Sequence, residues 1–136
     1  MSNCKYCILD INAHSFKLNG YVDINNLTIK KYYTKISDAK LFNKPETIIY
    51  HIQQEFINTK LETNNMWIWD INFENADLKH YLAFNTVIEL SKWIKNSNFG
   101  KQLKQINIHN ARIMGHSMII LAKLYLPNHI IIKNIT

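Results

Sequence analysis

The chain has 136 residues and a mass of 16.1 kDa, enough for one domain around one core and too little for a multidomain machine. Apolar residues make up 47% and charged residues 19%, with three Gly and two Pro, which excludes a disordered, collagenous or disulfide-stapled chain. The formal net charge is +6, yet Arg112 is the only Arg among sixteen cations, so the planar fork that reads bases and clamps phosphates is nearly missing and nucleic acid is not an expected partner.

Cys4 and Cys7 form a CxxC at the start of the chain, and residues 5–11 (KYCILDI) set their apolar residues close together. This predicts a strand, with the two thiols pointing to opposite faces. A zinc site needs four ligands and His14 supplies only a third, so the cysteines read as reduced structural residues; no metal and no cofactor are expected. Residues 12–15 interrupt, then Phe16, Leu18 and residues 21–24 resume around Gly20, completing a strand pair joined by a short turn. Residues 27–36 (LTIKKYYTKI) fit a strand or a short helix.

Residues 43–46 (NKPE) offer a helix start, with a capping residue, an early Pro and an early acid, and Ile48, Ile49, Ile52 and Phe56 keep one face apolar to about residue 59. Residues 66–71 (MWIWDI) are apolar on both faces, as in a strand at the middle of a sheet. Asp77 is suited to cap a long helix running from residue 78 to about 96, ahead of Gly100. Residues 106–108 make a short strand ending at His109 and Asn110. A second long helix spans about 114–126, halted by Pro127, and residues 129–133 supply the last strand. The expected fold is a single α/β domain over residues 1–136. Its mixed sheet has about five strands, an N-terminal strand pair followed by a parallel βαβαβ run, flanked by three to four helices.

The order of these segments resembles the sheet-forming part of the CRAL-TRIO lipid-transfer domain. The resemblance rests on IWD at 68–70, the helix from Leu78, INIHNA at 106–111, AKLYLP at 122–127 and HIIIKNI at 129–135, about half the chain. It implies a gate-like helix over an acyl-chain cavity. An opening strand pair before alternating helices and strands also looks like the STAS domain of anti-sigma factor antagonists. That family's phosphorylatable Ser after the central Asp has no counterpart, since residues 72–77 (NFENAD) contain no hydroxyl.

The helix at 114–126 is apolar on two sides. Met114, Met118, Leu121, Ala122 and Tyr125 are the candidate ligand-binding residues, joined by Asp70 and Asn110 at strand ends, where open α/β sheets place ligands. Ile119, Ile120 and Leu124 are the candidate interface residues. Asp70 with His80, His109 and His116 would also suit a metal-dependent or acid-base enzyme, but no nucleophile elbow, HExxH, P-loop or GxGxxG is present, and no catalytic residue is assigned. Trp67 and Trp69 share one face of their strand and are expected to pack under a helix; Lys30, Lys31, Tyr32 and Tyr33 read as a solvated basic-aromatic patch. The expectation is a non-catalytic module that binds a hydrophobic small molecule or lipid, with a protein partner or a second copy as the alternative occupant of the same surface. No apolar run approaches the roughly 20 residues of a membrane span, so a cytoplasmic location is expected. Ile, Asn and Lys together supply about two-fifths of the chain, the bias of AT-rich codons such as those of large DNA viruses, which would put the protein in a host cytoplasm or a virion.

Overall fold

The computed structural model describes residues 4–11, 13–62 and 64–135. In chain order these form α1 (Lys5–Leu9), β1 (Lys17–Ile24), β2 (Leu27–Lys35), a 3-10 turn (Ile36–Asp38), α2 (Pro45–Asn58), β3 (Trp67–Asn72), α3 (Leu78–Tyr81), α4 (Phe84–Asn96), α5 (Asn98–Gln102), β4 (Leu103–His109), α6 (Ile113–Tyr125) and β5 (Ile131–Ile135). The five strands make one sheet in the order β1-β2-β3-β4-β5, with β1 antiparallel to β2 and the rest parallel. The class expected from the sequence, α/β with a strand pair ahead of a parallel run, is the class observed.

Asn25 and Asn26 explain the antiparallel pair. Both are left-handed (φ 51° and 67°), and they are the whole loop between the paired residues Ile24 and Leu27. Two left-handed residues in a two-residue loop give the turn whose twist matches that of the strands, and Asn tolerates this conformation better than most residues. The hairpin therefore joins β1 to β2, not residues 5–11 to residues 16–24 as the apolar spacing predicted. Residues 5–9 are helical instead, and Ile8, Leu9 and Ile11 stand in solvent.

The strand order decides where the helices go. Each parallel step moves to the next position in the same direction, and right-handed crossovers then deliver every connecting helix to the same face. Accordingly Ile52 and Phe56 of α2, Tyr81 of α3, Ile94 of α4 and Met118 and Ala122 of α6 join one core with Tyr32, Trp67, Trp69, Ile106 and Ile108 of the sheet. Two neighbouring rows across the strands show the division. Tyr32, Trp69, Ile106 and Ile132 lie side by side and belong to the core, while Tyr33, Asp70, Asn107 and Lys133, one residue on, point to the other face.

Four boundaries differ from expectation, the first being β4, which opens at Leu103, three residues ahead of 106. The helix expected over 78–96 is broken at Leu82 and Ala83, so that Tyr81 stacks on Phe73 (5.2 Å between ring centroids) and Thr86, in the first turn of α4, donates to Phe42 O (2.9 Å). The segment 98–102 is a helical turn, with Ser97 Oγ accepting from Phe99 N (3.1 Å). The last strand begins two residues later than expected, because a turn in which Ile130 N donates to Pro127 O occupies 127–130.

Candidate functional site

Alternation along β3 divides the residues that the sequence gathered into one site. Trp69 and Ile71 face the helices, whereas Asp70 between them faces away. On the helix side lies an apolar cavity of about 140 Å³, walled by Trp69 and Ile71 of β3, Ile106 and Ile108 of β4, Ile94 and Leu90 of α4, and Met118, Ile119 and Ala122 of α6. Trp69 is fixed there because its indole N–H donates to Thr34 Oγ1 (2.8 Å), and Trp67 because its N–H donates to Phe99 O (2.7 Å), so both pack under helices as their shared face predicted. Polar lining is confined to the α3 and α4 side, at His80, Thr86 and Ser91.

Of the five α6 residues assigned to ligand, Met118 and Ala122 line this cavity. Met114 does not: it lies beside Tyr81 and Arg112 in a separate surface hollow. Leu121 is half-buried and outside the lining, and Tyr125 turns toward α4, where Lys92 Nζ sits 5.5 Å from its ring centre. Ile119, assigned to an interface, faces the cavity, because it follows Met118 on the inward side of the helix. Ile120 (63% exposed) and Leu124 (72% exposed) do face outward.

Asp70 and Asn110 belong to the opposite face. Asp70 is buried; its Oδ1 accepts from Asn107 Nδ2 (2.7 Å) and lies 3.5 Å from His109 Nε2, and its Oδ2 pairs with Lys31 Nζ (3.3 Å). Asn110, left-handed at φ 58°, donates to Asn72 Oδ1 (2.8 Å). His80 and His116 do not share this site, since His80 is buried on α3 beneath Phe42 and His116 is exposed on α6. Nor do Lys30 to Tyr33 form a solvated patch. Lys30 reaches Thr59 O and Lys60 O at the end of α2, Lys31 reaches Asp70, Tyr32 is fully buried with its hydroxyl against Thr59 Oγ1 (2.7 Å), and Tyr33 OH accepts from Asn72.

A second cluster was only half visible in the sequence. Because residues 5–9 are helical, Cys4 and Cys7 sit one turn apart on the same side, not on opposite faces. His14 and His51, the latter from α2, complete a group whose ligand atoms all lie within 4.8 Å of one another. Cys4, His14 and His51 are buried and Cys7 is half-buried. Burial, then the neighbouring Cys4, pushes the Cys7 thiol up to about 11; burial, then His51, brings His14 down to about 4. His51 was missed because it lies far along the chain. Its one local signal is an imidazole on the face of α2 that also carries Ile48, Ile52 and Phe56.

Compared with known proteins, the chain matches no family model, and no curated protein is significantly similar to it in sequence.

Proposed function

We propose that this chain is a non-catalytic binding module that takes a small apolar ligand between α4, α6 and the sheet. The observation that carries this reading is the cavity itself, about 140 Å³ and walled almost wholly by aliphatic and aromatic side chains. An apolar void of about 150 Å³ engineered into another protein stays dry and takes up benzene, so a space of this size suits an aromatic ring or the end of an acyl chain. The resemblance of residues 66–136 to the CRAL-TRIO domain supports the same helix as the gate. Binding is tested by NMR titration of the labelled chain with benzene and with decanoate. Shifts centred on the Met118 and Ala122 methyl groups are expected, lost in a folded Ala122→Phe variant that fills the space. A folded wild-type chain whose methyl groups respond to neither probe sinks the reading.

The outward side of α6 favours a second reading, self-association. Ile113 (87% exposed), Ile120 and Leu124 follow one another at helical spacing along that side. Sedimentation velocity separates the two: a dimer that Leu124→Glu converts to monomer supports an interface, and a monomer at all concentrations rejects it.

A further inference from the structure

We infer that Cys4, Cys7, His14 and His51 bind one zinc ion in a closed tetrahedral site that fastens the N-terminal segment to α2. The spacing is Cys-x2-Cys-x6-His-x36-His, two ligands from α1 and its cap, one from the segment ahead of β1, and one from the middle of α2.

Three of the four sulfur–nitrogen distances are close to those a tetrahedral ion imposes, and all four ligand atoms lie within 4.8 Å of one another. With Zn–S of about 2.3 Å and Zn–N of about 2.0 Å, sulfur and nitrogen ligands stand about 3.5 Å apart across the metal. Cys4 Sγ lies 3.8 Å from His14 Nδ1, Cys7 Sγ lies 3.7 Å from the same nitrogen, and Cys7 Sγ lies 3.3 Å from His51 Nδ1. Each contact is one that a thiol can make to an imidazole nitrogen, and the convergence of two sulfurs and two nitrogens on one point is what a metal site requires.

The other ring nitrogens fix the tautomers. His51 Nε2 faces Phe16 O at 2.8 Å, and a carbonyl can only accept, so Nε2 carries the hydrogen and Nδ1 is left as a lone pair aimed at the thiols. Thr47 spends its hydroxyl hydrogen on Lys44 O (2.8 Å) and therefore accepts from His14 Nε2 (3.0 Å), which leaves His14 Nδ1 as a lone pair as well. Both imidazoles thus present bare Nδ1 atoms to the same point, each held by a partner on its far side, the arrangement that orients histidine ligands around a metal.

Ligand chemistry selects the ion. Two soft thiolates and two borderline imidazoles, with no carboxylate among them, disfavour Mg²⁺ and Ca²⁺ and suit Zn²⁺ in S₂N₂ coordination. Binding transfers the two thiol protons to solvent, and the dication then balances the two thiolate charges in a buried place. With four protein ligands no coordination position is left for substrate, so the ion is structural. Its effect is on the fold, since it joins α2 to a segment whose helix α1 is five residues long and too short to be stable alone.

The test begins with elemental analysis of the full chain produced with zinc in the medium. One zinc per chain is expected, retained in His109→Ala, which alters the opposite face, and lost in His51→Ala. Because His51→Ala could fail for want of folding, Co²⁺ is also added to the chelator-stripped wild type. Strong tetrahedral d–d bands with thiolate charge transfer are expected, together with protection of both thiols from a disulfide reagent. Thr47→Val, which removes a partner and no ligand, is expected to weaken Co²⁺ binding about ten- to a hundredfold. Substoichiometric zinc with a weak octahedral Co²⁺ spectrum overturns the inference. So does a Cys4–Cys7 disulfide in protein purified under reducing conditions, or metal binding that survives Cys4→Ser/Cys7→Ser.

Discussion

Asn107 donates its side-chain amide to Asp70 Oδ1 over 2.7 Å from the neighbouring parallel strand, on the face of the sheet away from the helical core. Asn107 is itself held, its Oδ1 accepting from Gln105 Nε2 (2.6 Å), and Lys31 closes on the other carboxylate oxygen. A carboxylate at the centre of a sheet is thus satisfied from strands on both sides. Asp70→Ala leaves Asn107 and Lys31 without their acceptor and is expected to cost about 1–3 kcal/mol. Lys31→Met removes an ion pair whose lysine is partly solvated, and its loss is expected to stay below about 1 kcal/mol. Urea denaturation of both variants checks the ranking. Equal losses would show that the ion pair, not the strand-to-strand amide, anchors Asp70.

Thr34 and Trp69 are both buried and joined by the indole N–H at 2.8 Å. Thr34→Val keeps the shape and deletes the acceptor, stranding a buried donor, so a loss of about 1–3 kcal/mol is expected. Thr34→Ser keeps the hydroxyl and should recover most of the difference, read from thermal and urea midpoints of the two variants side by side. If Ser behaves as Val does, the methyl contact and not the hydrogen bond holds Trp69 against the cavity.

Elements with a local cause were legible in the sequence. Pro45 and the apolar face of Ile48, Ile52 and Phe56 mark α2, and the run at 66–71, apolar on both faces apart from Asp70, marks β3 as a central strand. Elements whose cause is tertiary were not. The break between α3 and α4 follows from Tyr81 reaching Phe73 and Thr86 reaching Phe42, contacts that no periodicity within 78–96 reveals. The segment of α6 reads as apolar on two sides, of which one lines the cavity and the other, with Ile120 and Leu124, is exposed, but grouping Asp70 with it ignored the strand alternation that sends Trp69 one way and Asp70 the other. The CxxC was read on the wrong element. Five apolar-rich residues fit a strand or a helix equally well, and only the helical form lets Cys4 and Cys7 meet His14 and His51.

Gly100 is needed for a close approach. A Cβ built on it would stand 1.6 Å from Ile94 O, inside the backbone of the preceding helix, where no rotamer change relieves the overlap. Gly100→Ala must therefore push α5 away from α4, and with it Phe99, whose carbonyl accepts the Trp67 indole N–H. A loss of at least about 2 kcal/mol is expected. Lys101→Ala, exposed and one residue on, is expected to stay within about 0.5 kcal/mol and serves as the control in the same denaturation series.

His80 gives stability a dependence on acid. It is buried beneath Phe42 with Nδ1 accepting from Asp77 N (2.8 Å), a role that requires a lone pair on that nitrogen. Burial, then Lys79, lowers its proton affinity below the ordinary value of 6.5, against the opposing pull of Asp77. The unfolded chain takes up a proton at about pH 6.5 that the folded chain refuses, so below that pH the unfolded state binds more protons and stability falls as pH falls. Above it the contribution is fully present. His14, also lowered, acts in the same direction, and comparing two chains that both keep it cancels its share. Thermal midpoints of wild type and His80→Gln, measured from pH 7.5 to pH 5, are expected to converge as the pH drops, because the variant has no imidazole at this position to titrate. Parallel curves would mean that His80 holds its proton equally well in the folded and unfolded chain.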